Sequence, residues 1–228
     1  MSKIQSPFPR EWSMDDLLRH LGVPTSRIRL DPLPGTAVEA DVLRIHEEEG
    51  RLCELIDGVL VEKTMGYHES KLAGWLAYLL HDYLQTNDLG TVTVPDGTMR
   101  LAPGQVRIPD VAFVSHQREA ACPDVASPIP ELAPDLAIEV VSEGNTPGEI
   151  ERKIKEYFFA ETALVWVVDP RTFTVDVYTA PDQMVTLDET KDLTGDPVLP
   201  GLRLPVARVF EKTLRPAKPK RSRRKKKS

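Results

Sequence analysis

Two apolar segments of the chain each carry an acidic residue in the middle of a strand-like pattern. Residues 107–114, RIPDVAFV, contain Asp110, and residues 135–142, DLAIEVVS, contain Glu139. By the two-residue period of a strand, each acid shares a face with alternate apolar residues, so we expect both carboxylates to face a core. Burial of an ionised carboxylate costs several kcal/mol unless a cation or good donors compensate it. A shared divalent metal is the simplest partner, although each acid could instead lie at a strand end or pair with a lysine or arginine of the chain.

The helix expected after Glu139 offers a basic residue for the same site. Its apolar stripe, at about 100° per residue, consists of Ile150, Ile154, Tyr157 and Phe158. Lys153 lies on the edge of this stripe and can reach inward, whereas Arg152 and Lys155 point well away. Beside a metal that activates water, Lys153 could position or deprotonate that water or neutralise a phosphate. The alternative is a lysine whose stem covers apolar surface while its ammonium group reaches solvent.

Three further polar residues are weaker candidates for this site. Glu54 interrupts the apolar side of the segment RLCELI, and it could either join the site or pair with Arg51 or Lys63 as an ordinary edge-strand acid. His68 and Glu69, at the start of the next helix, could reach the same region. Residues in such positions more often interact with the helix dipole or with solvent.

Helices and strands alternate along the chain and would hold these residues. Cap and turn signals mark several boundaries: Ser13 and Gly22 around a short helix, Asp57-Gly58 in a hairpin, and Thr146, Pro147 and Glu149 at N-cap, N1 and N3 of a helix that runs to about residue 160. Further helices are expected at 37–49, 67–86 and near 205–211, strands at 90–94, 98–101, 163–169 and 172–179, and a loop at 115–134. Pro109 indicates an edge or a bulge in the Asp110 strand. The pattern predicts an α/β (α+β) fold, a mixed sheet flanked by helices.

The composition is that of a soluble globular protein. The chain has 228 residues, of which 41% are hydrophobic and 28% charged, enough for one domain with a real core. The longest apolar stretch, 72–80, is half of what a membrane span requires, and no export signal opens the sequence. With only Cys53 and Cys122 and no metal-binding spacing, a reducing cytoplasm is expected.

The charge is concentrated at one end. Residues 212–228 hold ten lysines and arginines and no acid, which leaves 19 basic against 35 acidic residues before them. A solvated basic tail can bind polyanions such as nucleic acids through counterion release without reading their sequence. The same tail could instead fold back onto the acidic body.

The motifs ELIDGVLVE, RIPDVAFV, PDLAIEVVS, KIKEYF and LVWVVDP, in this order, resemble the Uma-two family of restriction-endonuclease-like proteins, a bacterial branch of the PD-(D/E)xK nuclease superfamily. The resemblance spans about residues 45–212. It implies a mixed sheet with an N-terminal β-hairpin and magnesium-dependent phosphodiester hydrolysis, with manganese as a substitute. In this pattern Asp110 and Glu139 match the metal acids, and Glu54 matches the acid of the hairpin.

The chain departs from the superfamily pattern at one position. The expected lysine two residues after Glu139 is replaced by Val141, and in proteins similar to this one the lysine comes from the following helix, where Lys153 matches in KIKEY. The expected organisation is a helical extension at 1–45, a nuclease domain at 46–212 and a disordered basic tail at 213–228. The expected function is a metal-dependent endonuclease that acts on DNA rather than RNA, with homodimerisation left open. The alternatives are an inactive nucleic-acid-binding or interaction module on the same fold, and a metal-dependent hydrolase of RNA or another phosphate ester.

Overall fold

The computed structural model describes residues 8–9, 11–64 and 66–213. The helices are α1 (Met14–Leu21), α2 (Glu39–Glu49), α3 (Tyr67–Leu84), α4 (His116–Ala121), α5 (Pro147–Phe159) and α6 (Val206–Val209), with a 3-10 turn at Thr25–Arg27. The strands are β1 (Cys53–Ile56), β2 (Val59–Glu62), β3 (Gly90–Thr93), β4 (Met99–Ala102), β5 (Gln105–Arg107), β6 (Val111–Ser115), β7 (Leu136–Val140), β8 (Leu164–Asp169), β9 (Thr174–Ala180), β10 (Gln183–Leu187), β11 (Asp192–Gly195) and β12 (Leu199–Pro205). No helix in this part of the chain is long and apolar enough to cross a membrane. The predicted basic tail lies outside the described residues except for its first residue.

The strands form three sheets. The largest has the order β10-β9-β8-β7-β6-β3 and is mixed, because β7 and β8 are parallel and the other pairs are antiparallel. Helix α5 connects the parallel pair, as the parallel geometry requires of a crossover. The hairpin β1-β2 belongs to a second sheet of order β2-β1-β5-β4, and β11 pairs with β12 alone. The predicted mixed sheet flanked by helices is confirmed. The division of the strands into separate sheets is a feature that the sequence pattern did not predict.

The Asp110 segment is divided between two sheets. Strand β5 ends at Arg107 and belongs to the small sheet, whereas β6 begins at Val111 and belongs to the large one. The prediction that Asp110 lies in the middle of a strand is therefore wrong, and Asp110 is the residue that leads into β6, its N–H donating to the Ile138 carbonyl at 3.2 Å. Pro109 explains the break, since proline has no N–H to continue a ladder.

The loop predicted for 115–134 contains a short helix, α4. The Ser115 hydroxyl accepts a hydrogen bond from the Arg118 N–H at 3.3 Å and so caps this helix. An N-cap serine satisfies one of the N–H groups that a helix start leaves without a partner. The prediction of a continuous loop is wrong at this point because it gave the high Pro and Ala content more weight than the cap.

The predicted turn and cap signals are largely confirmed. Asp57 and Gly58 both have positive φ angles, 50° and 74°, as a two-residue hairpin turn requires. Ser13 caps α1 and Gly22 ends it with a φ of 67°. The Thr146 hydroxyl accepts from the N–H of Glu149 at 3.1 Å. The second half of the predicted capping box does not form, because the Glu149 carboxylate binds Arg27 and Asn145 instead.

The residues before the hairpin pack directly on the elements that carry the predicted site. Arg27 forms a buried ion pair of 2.8 Å with Glu149 of α5. Gly22 lies so close to Gly148 that an added Cβ would be 3.0 Å from its carbonyl carbon. The predicted extension ends at residue 45, inside α2, where Ile45 packs with residues of β1 and β5. The N-terminal segment therefore braces both the hairpin and α5.

The two faces of the large sheet are packed differently. On one face, Leu136, Ile138 and Val140 of β7 join a large apolar core with α3, α6 and the β11-β12 pair. The opposite face of β7 packs against α5 through Ala137. Glu139 lies on this second face, between two apolar neighbours. The sheet thus carries the predicted acid into the interior, as its alternation predicts.

Candidate functional site

Three acids lie in the interior between the small sheet, the large sheet and α5. Glu54 comes from β1, Asp110 from the start of β6 and Glu139 from β7, and all three are buried. Lys153 of α5 joins two of them, with Nζ 2.9 Å from Glu139 Oε2 and 3.2 Å from Glu54 Oε1. Lys153 therefore points inward, as its helical position predicts.

Glu54 has a second cationic partner, Arg107 at the end of β5. Arg107 Nη1 lies 2.8 Å from Glu54 Oε2, and the Ile108 N–H donates to Oε1 at 3.2 Å. Arg107 Nε also donates to Glu156 of α5 at 2.6 Å. Glu54 is thus an interior acid that ties the small sheet to α5.

The ordinary alternative for Glu54, pairing with Arg51 or Lys63, is wrong. Arg51 binds Glu62, with 2.6 Å between Nη1 and Oε2. The Lys63 ammonium group lies 2.8 Å from Asp110 Oδ1. Both basic side chains are therefore engaged with other acids.

Asp110 bridges the two sheets. Its Oδ1 pairs with Lys63, which follows β2, and its Oδ2 accepts from the N–H of Val140 on β7 at 2.7 Å. Lys63 also donates to the Ile108 carbonyl, and its side chain is only 6% exposed. This interaction holds the end of the hairpin against the start of β6.

The remaining oxygen of Glu139 is held by a tyrosine. The hydroxyl of Tyr157 donates to Glu139 Oε1 at 2.7 Å, while Oε2 accepts from Lys153. Tyr157 and Lys153 are four residues apart on α5 and so lie on one face of the helix. The carboxylate is therefore fixed from both sides by a single helix.

Burial and ion pairing compete at this site. Burial raises the pKa of Glu139, and Lys153 and Lys63 offset this only in part. Burial also raises the pKa of Glu54, but Lys153 and Arg107 outweigh it and bring the pKa below its usual value. Burial lowers the pKa of Lys153, but Glu139 and Glu54 outweigh it and raise the pKa above its usual value. This raised pKa favours the ammonium form of Lys153 at neutral pH.

The profile of the Uma2 (Uma-two) family, described as "Putative restriction endonuclease", matches residues 39–207. The chain belongs to the Uma2 family. Comparison with curated proteins finds no match. Among solved structures, a protein from Anabaena variabilis ATCC 29413 described as a "putative nuclease belonging to DUF820" is similar, with 18% identity and a TM-score of 0.65 over 73% of this chain and 94% of that one. The likeness confirms the restriction-endonuclease-like fold class, and membership of Uma2 supports a nuclease.

The site of this Uma2 chain suits magnesium by the chemistry of its donors. Among the residues that the structure describes, no three His, Cys, Asp or Glu side chains form a ready-made metal cage. Magnesium is usually held by one or two carboxylates together with water and substrate phosphate, a role open to Asp110 and Glu139. Each of their four oxygens already accepts a hydrogen bond or ion pair but retains a second lone pair. A metal here would share the acids with Lys63 and Lys153, whose charges already compensate them.

The weaker candidates His68 and Glu69 lie at a neighbouring cavity. This cavity has a volume of about 500 Å³ and is also lined by Thr64 and Val141. Thr64 directly follows Lys63, and Val141 is the second residue after Glu139, so the wall of the cavity is close along the chain to the site, although the buried acids do not line it. The contacts described for His68 and Glu69 do not reach Asp110 or Glu139.

Sequence reasoning missed three residues of the Uma2 site. The periodicity places Tyr157 in the apolar stripe of α5, although its spacing from Lys153 is a signal that it could reach the same acid. Arg107 and Lys63 carried no comparable signal. Their partners, Glu54 and Asp110, lie more than 40 residues away along the chain, and the contacts depend on how the two sheets meet.

Proposed function

We propose that this Uma2 protein is a metal-dependent endonuclease that hydrolyses phosphodiester bonds of DNA in a reducing cytoplasm. The observation that carries the proposal is the convergence of Glu54, Asp110, Glu139 and Lys153 from four elements into one interior site beside a cavity. Four charged side chains in a protein interior impose a desolvation cost that apolar residues of similar volume would avoid. Such an arrangement is typical of a site that does chemistry.

Asp110 and Glu139 would hold Mg²⁺, with Mn²⁺ as a substitute. When bound, the metal supplies an activated water and stabilises charge on the phosphate. Lys153, held protonated by its two acids, supplies a fixed positive charge for the transferring phosphate. Glu54 keeps Lys153 and Arg107 in place, and Tyr157 orients Glu139.

The test is cleavage of supercoiled, linear and single-stranded DNA and of RNA, with Mg²⁺, with Mn²⁺ and with a chelator. We expect metal-dependent cutting of DNA that Asp110→Asn and Lys153→Met each abolish. Lys155→Met is the matched control, because Lys155 lies on the same helix but is exposed and paired with Glu151. Cutting that persists in Asp110→Asn and in chelator would overturn the proposal.

A second candidate is a nucleic-acid-binding module that does not cut. It is favoured by the pairing of every buried acid of the site with a cation of the chain itself, so that folding requires no metal. Tight nucleic-acid binding without cleavage of any substrate, in a folded protein, would establish this function. Cleavage of RNA alone, or of a small phosphate ester alone, would correct the substrate.

Cutting of both DNA strands would involve a homodimer, in which each copy cleaves one strand. We expect the rate of double-strand cleavage to rise more steeply than linearly with protein concentration in that case. A linear dependence, with a monomeric mass in sedimentation, would limit the protein to nicking or to single-stranded substrates.

A further inference from the structure

The cavity beside the acids has the size and position of a substrate-binding pocket. Its volume of about 500 Å³ lies within the range of about 300 to 1,000 Å³ that is usual for ligand sites. Its wall includes Thr64, next to Lys63, and Val141 and Ser142, just beyond Glu139 on the same strand. The acids themselves do not line the cavity, but its wall is one residue from Lys63 and two residues from Glu139 along the chain.

One aromatic side chain that lines this cavity is exposed to solvent. Tyr67 is the first residue of α3 and is 76% exposed. Among the described residues, the ring contact of Tyr67 is with the edge of the His68 ring, with 5.5 Å between centroids. An exposed aromatic ring beside a charged site is typical of proteins that stack unpaired bases, because every base has a π-face.

Basic side chains outnumber acidic ones in the cavity. The cations are Lys71, Arg171 and Lys212, and the anions are Glu69 and Glu143. Arg171 is already engaged, since Asp169 and, more weakly, Glu143 raise its pKa. Lys71 is exposed and forms no ion pair among the described residues. Its ammonium group is thus available to a phosphate.

Basic residues are concentrated at the C-terminal end of the chain, beginning with residues that line the cavity. Lys212 and Thr213 line the cavity, and Lys212 Nζ lies 5.1 Å from the centre of the Trp75 ring. Lys212 Nζ also lies 2.9 Å from Oε1 of Glu211, an exposed pair of the kind that contributes little and that a phosphate could replace. The following residues, 214–228, contain nine lysines and arginines and no acid. The sequence beyond the described residues thus adds positive charge that a polyanion would favour.

We propose that this cavity binds an unpaired stretch of a DNA strand beside the cleaved phosphate, with one base stacked on Tyr67 and the adjoining phosphates on Lys71 and Lys212. The inference rests on the proposed nuclease function and names single-stranded or locally unpaired DNA as its substrate class. A cavity of about 500 Å³ has the size that holds one small ligand, such as a single nucleotide, and is too small for the two paired strands of a duplex. In a duplex, moreover, the faces of the bases are covered by their neighbours, so Tyr67 could not stack on them.

The test measures how tightly the protein binds a fluorescein-labelled single-stranded oligonucleotide and its duplex. Binding is measured by fluorescence anisotropy, with chelator present to prevent cleavage. Tyr67→Ala is expected to weaken single-strand binding by about 5-fold to 150-fold, the usual range for loss of one stacked base. Tyr67→Phe should bind like the native chain, because it keeps the ring. Tyr78→Ala is the matched control, since Tyr78 is also exposed on α3 but stacks on Trp75.

Two further measurements separate stacking from charge. An oligonucleotide of abasic residues should bind equally well to the native chain and to Tyr67→Ala. Lys71→Ala should reduce the slope of log K against log salt by about 0.7 for single-stranded DNA, whereas the exposed Lys155→Ala should leave it unchanged. Equal single-strand affinity of Tyr67→Ala and the native chain would overturn the inference, as would a Tyr67 effect of the same size on the duplex.

The inference and the proposed function can fail separately. Cleavage that depends on Asp110, together with binding that does not depend on Tyr67, would retain the nuclease and reject the pocket. Binding that depends on Tyr67, without cleavage of any substrate, would retain the pocket and reject the nuclease.

Discussion

Strand β7 divides the interior into two regions of opposite character. On one face, Ile138 and its alternate neighbours pack in a large apolar core with side chains from α3, α6 and the β11-β12 pair. On the other face, Glu139 meets Lys153 and Tyr157 of α5. One strand of five residues therefore serves an apolar core and a charged site at the same time.

The difference leads us to expect that the apolar region supplies stability and that the charged region supplies the proposed chemistry. Apolar burial stabilises by roughly 25 cal/mol for each Å² removed from water. A buried ion pair does little better than break even against its desolvation, yet removal of one partner is costly. Substitutions in the apolar core should therefore change stability, and substitutions of Asp110 and Glu139, the acids proposed to hold the metal, should change activity. The four predictions below test this division, from the largest expected effect to the smallest.

Glu139→Gln should separate activity from stability. If the proposed nuclease is active, we expect the cleavage rate to fall by about 10³-fold, equivalent to about 4 kcal/mol, because a neutral amide is a poor ligand for magnesium. The free energy of unfolding should fall far less than the activity, because the amide keeps the shape of the carboxylate and Glu54 still pairs with the buried Lys153. Cleavage kinetics and urea denaturation measure the two effects. Glu151→Gln is the control, because Glu151 is an exposed acid on α5. A loss of stability as large as the loss of activity, both in kcal/mol, would contradict the division between a stabilising core and a reactive site.

Arg27→Met tests how far the charged region extends. Arg27 and Glu149 form a buried pair between the N-terminal segment and α5, with 2.8 Å between Nη1 and Oε2. Removal of the arginine leaves a buried carboxylate without its cation, so we expect a loss of about 4 kcal/mol in the free energy of unfolding by urea. The double variant Arg27→Met, Glu149→Leu should recover most of it. A double variant no more stable than the single one would show that the pair itself, not the orphaned charge, supplies the stability.

Ile138→Ala tests the apolar side of the same strand. Ile138 is fully buried in the large core, and its truncation should lower the free energy of unfolding by about 3 kcal/mol through lost burial and a cavity. The cleavage rate per folded molecule should be unchanged, because the side chain points away from Glu139. The rate is measured at a temperature where the variant is fully folded. A rate reduced tenfold there would show that the core also positions the site.

Local signals in the sequence were sufficient for much of the fold. The Asp57-Gly58 turn, the Thr146 cap and the inward position of Lys153 each depend on residues a few positions apart, and the structure contains all three. The inward orientation of Glu139 follows from the alternation of side chains along a single strand. These features are decided by backbone geometry and helical spacing, which a sequence displays directly.

The missed features depend on contacts between distant segments. The pair of Lys63 and Asp110 and the pair of Arg107 and Glu54 exist because the small sheet meets the large one at Pro109. No local pattern specifies how two sheets meet, so their ion pairs could not be predicted. For the same reason the sequence predicted a metal where the structure places lysines beside the acids. The role of the metal stays a prediction.

Asp57→Asn tests whether a charge at the edge of the charged region contributes to stability, through the pH dependence of the free energy of unfolding. Burial raises the pKa of Asp57, but hydrogen bonds from His20 and Arg152 outweigh it and bring the pKa below its usual value. A lowered pKa contributes stability that is present above the unfolded value of about 3.9 and lost as the pH falls through the folded value. Asparagine tolerates the positive φ of this turn, so the substitution should leave the turn intact. We expect the free energy of unfolding to fall by about 1 kcal/mol at pH 7, and this loss should shrink below about pH 4. Urea denaturation across that pH range measures it. A difference that stayed constant down to pH 3 would mean that the charge of Asp57 contributes nothing and that only its turn geometry does.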